Sequence, residues 1–235
     1  IMALPRIDTP TYQTNLPSTG QEVQFRPFLV KEQKIIMMAQ ESGNEVEMTN
    51  ALSQLVSTCT FNKIDVTNAP TFDVEYLFLK IRSKSAGETV DIRITCPDDE
   101  KTQVPVKINL DEIRIQTTDG HTPFIGITDK IKMVLRYPTL FDLTQVDNAQ
   151  SGDGTFKLMY RCIHEIHFGD DVYNRIDISD KEIEEFIDQL TTDQFESITN
   201  FFQTMPKLRH TIEVTNPNTN VKNEVVLEGL QSFLG

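Results

Sequence analysis

The 235-residue chain is short of basic residues, of cysteine and of long apolar runs, and each shortage excludes a class of function. Lysine and arginine number 22 against 35 acidic residues, a formal net charge of −13. Nucleic-acid backbones are neutralised by lysine and arginine, so a chain this acidic is a poor nucleic-acid binder. The same charge favours solubility and discourages self-association. The three cysteines, Cys59, Cys96 and Cys162, are odd in number and far apart, which is no basis for a disulfide framework. There is no Asn-x-Ser/Thr glycosylation site. No stretch reaches the roughly 18–20 apolar residues that a membrane helix needs. Ile1 to Asp8 lack the basic-then-apolar layout of a signal peptide, so synthesis in a cytoplasm is expected. The Gly-x-Gly-x-x-Gly, P-loop and Gly-x-Ser-x-Gly patterns are missing too. With 38% hydrophobic residues, the chain reads as a globular protein. Its length allows one large domain or two small ones that share a core.

What is present has a clear order. Residues 1–30 are rich in Pro, Thr, Ser and Gln and read as an extended N-terminal arm, because Pro5, Pro10, Pro17 and Pro27 oppose helix. Val23, Phe25, Pro27 and Phe28 suggest a short strand leading into a first helix over about Lys31 to Gln40. Ser42-Gly43-Asn44 ends that helix. Met48, Ala51, Leu52, Leu55, Val56 and Cys59 then share one helical face, which makes Cys59 a small buried hydrophobe. A third helix begins near Thr71. The period then drops to two. Val90, Ile92, Ile94 and Cys96 pair with Val104, Val106 and Ile108 in a β-hairpin, and Pro105 gives its second strand a free edge. Ile131 to Tyr137 is another strand, and residues 146–154 read as a flexible linker. In the last third, Thr155 to Ile163 is helical and Ile166 to Tyr173 is a small hairpin. Ser179 to Glu182 and Thr191 to Gln194 open two capped helices. Ile212 to Leu227 forms the final hairpin, turning at Asn216 to Asn220, and Leu230 to Leu234 is an apolar tail. The fold class is α+β, with one half over 31–145 and another over 155–235, expected to make one compact unit. There is no exact internal repeat, although helices followed by a hairpin occur twice.

Few residues offer chemistry. His164 and His167, with Asp170 nearby, could share a metal if they lie on a helix. The zincin spacing is not met, and on a strand the two imidazoles would face opposite ways. Cys96-Pro97-Asp98-Asp99 looks like half of a zinc knuckle, yet no Cys-x-x-Cys partner exists to complete four soft ligands. The acidic run Asp180 to Asp188 reads as the solvated face of its helix. Neither cofactor nor metal is expected.

Several segments in order carry a family resemblance. They are Phe25-Arg26-Pro27-Phe28-Leu29-Val30-Lys31-Glu32, Ile94-Thr95-Cys96-Pro97 leading to Val104-Pro105-Val106, the strand Ile131 to Pro138, and Leu208 to Val214. Together they resemble the baseplate hub assembly proteins of T-even-type contractile-tailed phages, a family with a small hub subunit and a hub assembly catalyst. The opening Leu4 to Pro10 is similar to the marine cyanophage branch. The resemblance implies an assembly factor that acts by protein–protein contact in the host cytoplasm, or alternatively a stoichiometric hub subunit of the virion. The remote alternative is a metal-dependent hydrolase. Hub and tape-measure proteins are the implied partners, with no nucleic acid and no membrane. Some members look zinc-ribbon-like in both hairpins, so the two hairpins here are read as degenerate ribbons that have outlived their metal. Phe25, Pro27, Phe28, Cys96, Pro97, Leu230 and Phe233 are the expected partner-binding residues.

Overall fold

The computed structural model describes residues 7–146 and 152–233. Residues 147–151 of the expected linker lie outside that range, as do the opening 1–6 and the tail end 234–235. In chain order, the N-terminal segment gives β1 (Tyr12–Asn15) and β2 (Glu22–Phe25). Three helices follow, α1 (Val30–Ser42), α2 (Glu45–Cys59) and α3 (Thr71–Ser85). The strands β3 (Thr89–Thr95), β4 (Gln103–Asn109) and β5 (Arg114–Gln116) come next. Then come β6 (Phe124–Gly126), β7 (Ile131–Leu135), α4 (Leu140–Thr144), α5 (Gly152–Arg161), β8 (Ile163–Phe168) and β9 (Asp171–Asn174). The chain closes with α6 (Asp180–Ile187), α7 (Thr192–Thr204), β10 (Lys207–Thr215) and β11 (Lys222–Glu228). The mixture is α+β. Two compact units result, 1–116 with 207–235, and 117–206. The grouping differs from halves at 31–145 and 155–235 because β10 pairs with β5, so the last hairpin belongs with the first unit.

In the first unit, the N-terminal segment is a folded hairpin, which corrects the expected extended arm. β1 pairs with β2 in antiparallel register, and Leu16, Val23 and Phe25 are buried. Phe25 stacks on Tyr12 with ring centroids 5.7 Å apart. The hairpin is tied down at its tip as well, where the Ser18 amide and hydroxyl both donate to the buried Asp73 carboxylate at the start of α3. Burial raises the Asp73 carboxyl, and the two Ser18 bonds oppose that rise. The α2 stripe is buried as its spacing predicts, with Leu55, Val56 and Cys59 fully enclosed. Asn44 starts α2 by accepting from the Val46 and Glu47 amides. Gly43 closes α1 at φ 63°, a left-handed cap that suits glycine. The β3–β4 sheet has only two strands, so the edge on which Pro105 needs no donor is free.

The second unit is a four-stranded antiparallel sheet in the order β6-β7-β8-β9. Its inner face, including Ile125, Met133 and Ile166, packs with Ile183, Ile187, Ile198 and Phe201 from the helices. Ser179 and Thr191 cap α6 and α7 as their Ser/Thr-x-x-Glu/Gln spacing requires. The pairing of β7 and β8 slips by one residue between Val134 and Leu135, which leaves His164 as the extra residue of a β-bulge. Ile163 and Ile166 are therefore both buried although three apart.

One local device occurs in each unit. Arg26 follows β2, its amide donates to the Cys59 carbonyl (2.9 Å), and its guanidinium binds Glu32 six residues on (2.8 Å). Arg136 follows β7, its amide donates to the Cys162 carbonyl (2.8 Å), and both arms of its guanidinium grip Asp142, again six residues on (2.6 and 2.8 Å). Each acid also caps its own helix, Glu32 by accepting from the Leu29 amide and Asp142 from that of Thr139. Burial would raise both carboxyls, but the arginine and the capping amide hold each below its ordinary value. Hairpin, arginine, two helices and a buried cysteine thus recur once in each unit, a different pair from the helices-then-hairpin order of the sequence, whose second hairpin belongs to the first unit.

Candidate functional site

Three hairpin tips of the first unit share one construction. Each begins with a buried residue followed by proline: Leu16-Pro17, Cys96-Pro97 and Asn216-Pro217. The fifth residue of each tip donates its amide to the first residue's carbonyl, at 2.8 Å for Gly20, 2.9 Å for Glu100 and 2.8 Å for Asn220. All three fifth residues have φ between 55° and 70°. That conformation is easy for Gly and accessible to Asn, whereas Glu100 adopts it at some cost. Proline fixes the second position of each tip. Only that proline is shared as a letter, which is why no repeat is visible in the sequence.

Two of these tips are locked to one another by Asp98. Its carboxylate accepts from the Asn216 amide (3.0 and 3.1 Å), the Asn223 amide (2.9 Å) and the Thr219 hydroxyl. Its backbone amide donates back to Asn223 Oδ1 at 3.1 Å. Asn218 completes the joint by donating to the Thr102 hydroxyl at 2.9 Å. Within the first tip, Asp99 accepts from the Thr102 hydroxyl and from the amides of Thr102 and Lys101. Bonds from Thr219 and Asn216 lower the Asp98 carboxyl, and those from Thr102 hold Asp99 well below its ordinary value. Both are carboxylates at neutral pH. The Cys96-Pro97 tip is therefore joined to the last hairpin by amide and carboxylate hydrogen bonds. Asn216 is fully buried and also caps its own turn, accepting from the Asn218 amide at 2.9 Å. Asn216→Ala removes these bonds together and is expected to destabilise the protein by about 1–3 kcal/mol. A urea titration checks this; an unchanged midpoint would show that the tips do not depend on the joint.

The expected partner-binding residues fall into two sets. Phe25, Cys96, Leu230 and Phe233 are interior: Cys96 and Phe233 are fully enclosed, and Phe25 is buried at the end of β2. Their side chains hold hairpins and tail in place from inside. Pro97 is exposed at its tip, and Pro27 and Phe28 are half-buried ahead of α1. Burial pushes up all three thiols, Cys59 to about 11 and Cys162 to about 12. A thiol kept protonated is a poor nucleophile and a poor metal ligand.

The histidine candidates lie on β8, a strand, but the bulge changes their expected orientation. With Ile163 and Ile166 both inward, His164, Glu165 and His167 lie on the more accessible side. His167 Nε2 is 2.8 Å from Glu165 Oε2 and His164 Nε2 is 3.6 Å from Oε1. Asp170 sits in the turn between β8 and β9. Among the described residues, no group of three or more His, Cys, Asp or Glu is placed to hold a metal ion. Nor is any described helix long and apolar enough to cross a membrane.

Residues 9–235 match a family model described as T4 bacteriophage base plate protein. No curated protein and no solved structure gives a match.

Proposed function

Because this chain belongs to the T4 bacteriophage base plate protein family, we propose that it acts in tail morphogenesis as a baseplate hub assembly factor, through protein–protein contacts rather than covalent chemistry. The observation that carries this reading is the Asp98 joint. It fixes two hairpin tips by side-chain bonds and leaves Pro97 exposed beside them. A rigid tip loses little conformational freedom when it docks, which favours recognition. The half-buried Pro27-Phe28 ahead of α1 is a second contact of the same kind. Hub and tape-measure proteins are the partners, met in the host cytoplasm during assembly. The second reading is a stoichiometric subunit of the virion hub, which the family match supports equally.

Deleting the gene is expected to leave wedges intact and to abolish hubs. Quantitative mass spectrometry of purified virions is expected to find no copies of this protein. Copies present at hub stoichiometry would favour the subunit reading, and normal hubs in the deletion would sink both.

A further inference from the structure

We propose that a groove in the second unit receives a basic amphipathic helix of a partner protein. The groove is about 650 Å³ and lies between α5 and the α6–α7 pair. Its floor is aromatic. Phe156 stands 5.5 Å from Phe195 and 6.4 Å from Tyr160 between ring centroids, and Phe156 is 44% exposed. One wall is acidic, with Asp180 and Glu184 on α6 and Asp188 capping its C-terminus, at steps of four. Such spacing puts them on one helical face, about 6 Å apart along the axis.

Charge decides the occupant. Asp180 is engaged by Arg175, whereas Glu184 and Asp188 form no ion pair among the described residues. Across the groove stand two cations of α5, Lys157 and Arg161, against the three carboxylates, and Arg161 is already held by Asp142 and lies over the Phe141 ring. The open wall is therefore negative. A helix with Lys or Arg at steps of four can match it rung for rung, while apolar side chains on its adjoining face cover the aromatic floor. The acidic run that reads as a merely solvated face in the sequence becomes one wall of a groove when α5 packs beside it.

This inference rests on the reading of the protein as one that works by docking, but it fails separately. The hub assembly test probes the whole chain, whereas this one probes a single groove. The probe is a synthetic amphipathic peptide with lysines at steps of four and leucines on the adjoining face, with a glutamate-for-lysine peptide as control. Titrated into the full-length protein and read by fluorescence anisotropy, the lysine peptide is expected to bind and the glutamate peptide not to. Glu184→Lys with Asp188→Lys is expected to weaken binding about tenfold or more, and raised salt to weaken binding to the parent protein. Phe156→Ala, at a ring that is 44% exposed, is expected to weaken binding while leaving its salt dependence in place. Equal binding of both peptides, no binding of either, or binding unchanged in the variants would overturn the proposal. So would a dimer in sedimentation that the same variants abolish, since the groove would then serve a second copy.

Discussion

Arg136→Ala is expected to destabilise the protein by about 3 kcal/mol, read as a lower midpoint in chemical denaturation. Its partner Asp142 is 1% exposed and accepts both arms of the guanidinium. Removing the arginine strands a buried carboxylate, a change that costs roughly 3–5 kcal/mol in general. The lower end applies because the Arg136 side chain is itself 37% exposed and because Thr139 and Arg161 still reach Asp142. The same arginine donates to the Arg161 carbonyl at 2.8 Å, so the variant also frees the C-terminal turn of α5. A double variant, Arg136→Met with Asp142→Leu, separates the two contributions. Recovery of most of the loss would identify the stranded charge as the cause. A single variant as stable as the parent would show that the clamp is ornamental.

Glu75→Gln is expected to stabilise the protein above pH 7 and to leave it unchanged near pH 4.5. Glu75 lies on α3, where burial pushes its carboxyl up to about 7; the Leu230 amide opposes the shift and Glu228 adds to it. The folded state therefore binds this proton more tightly than the unfolded state does. Below about pH 4.5 both states are protonated and the residue is neutral in effect. Between 4.5 and 7 the unfolded state ionises first, so stability falls as pH rises, and above 7 the whole penalty is present. Its ceiling is about 3 kcal/mol for a shift of this size, and partial solvent access reduces it. Thermal melts of parent and variant at pH 5 and pH 8 check this. A gain that is equal at both values would refute the ionisation as its source.

Local patterns in this fold are legible in the sequence, and distant agreements are not. The α2 stripe from Met48 to Cys59, the caps at Ser179 and Thr191 and the β3–β4 alternation follow from spacing within about a dozen residues. β1 was not legible because Tyr-Gln-Thr-Asn carries no apolar alternation and only pairing with β2 makes it a strand. α4 is five residues long, too short for a period to show, and exists because Thr139 and Asp142 cap each other. The His164 bulge is a one-residue slip in pairing, invisible until β7 and β8 are aligned. The Asp98 joint is furthest from view. Its partners lie 118 to 125 residues away, and asparagines in a turn are ordinary turn residues until a carboxylate reaches them.

The pairing of β5 with β10 sets the order in which the protein can mature on the ribosome. Residues 117–206 must all be synthesised before β10 exists to join its earlier neighbour. At a translation rate of about 5–20 residues per second, β5 waits on the order of 5–20 s with that edge unpaired. The second unit has all its strands and helices within that interval and can fold first, as a finished insert. Closure of the first unit, and with it the Asp98 joint, therefore follows synthesis of the whole second unit, so a nascent chain cannot present the paired tips until β11 has been made.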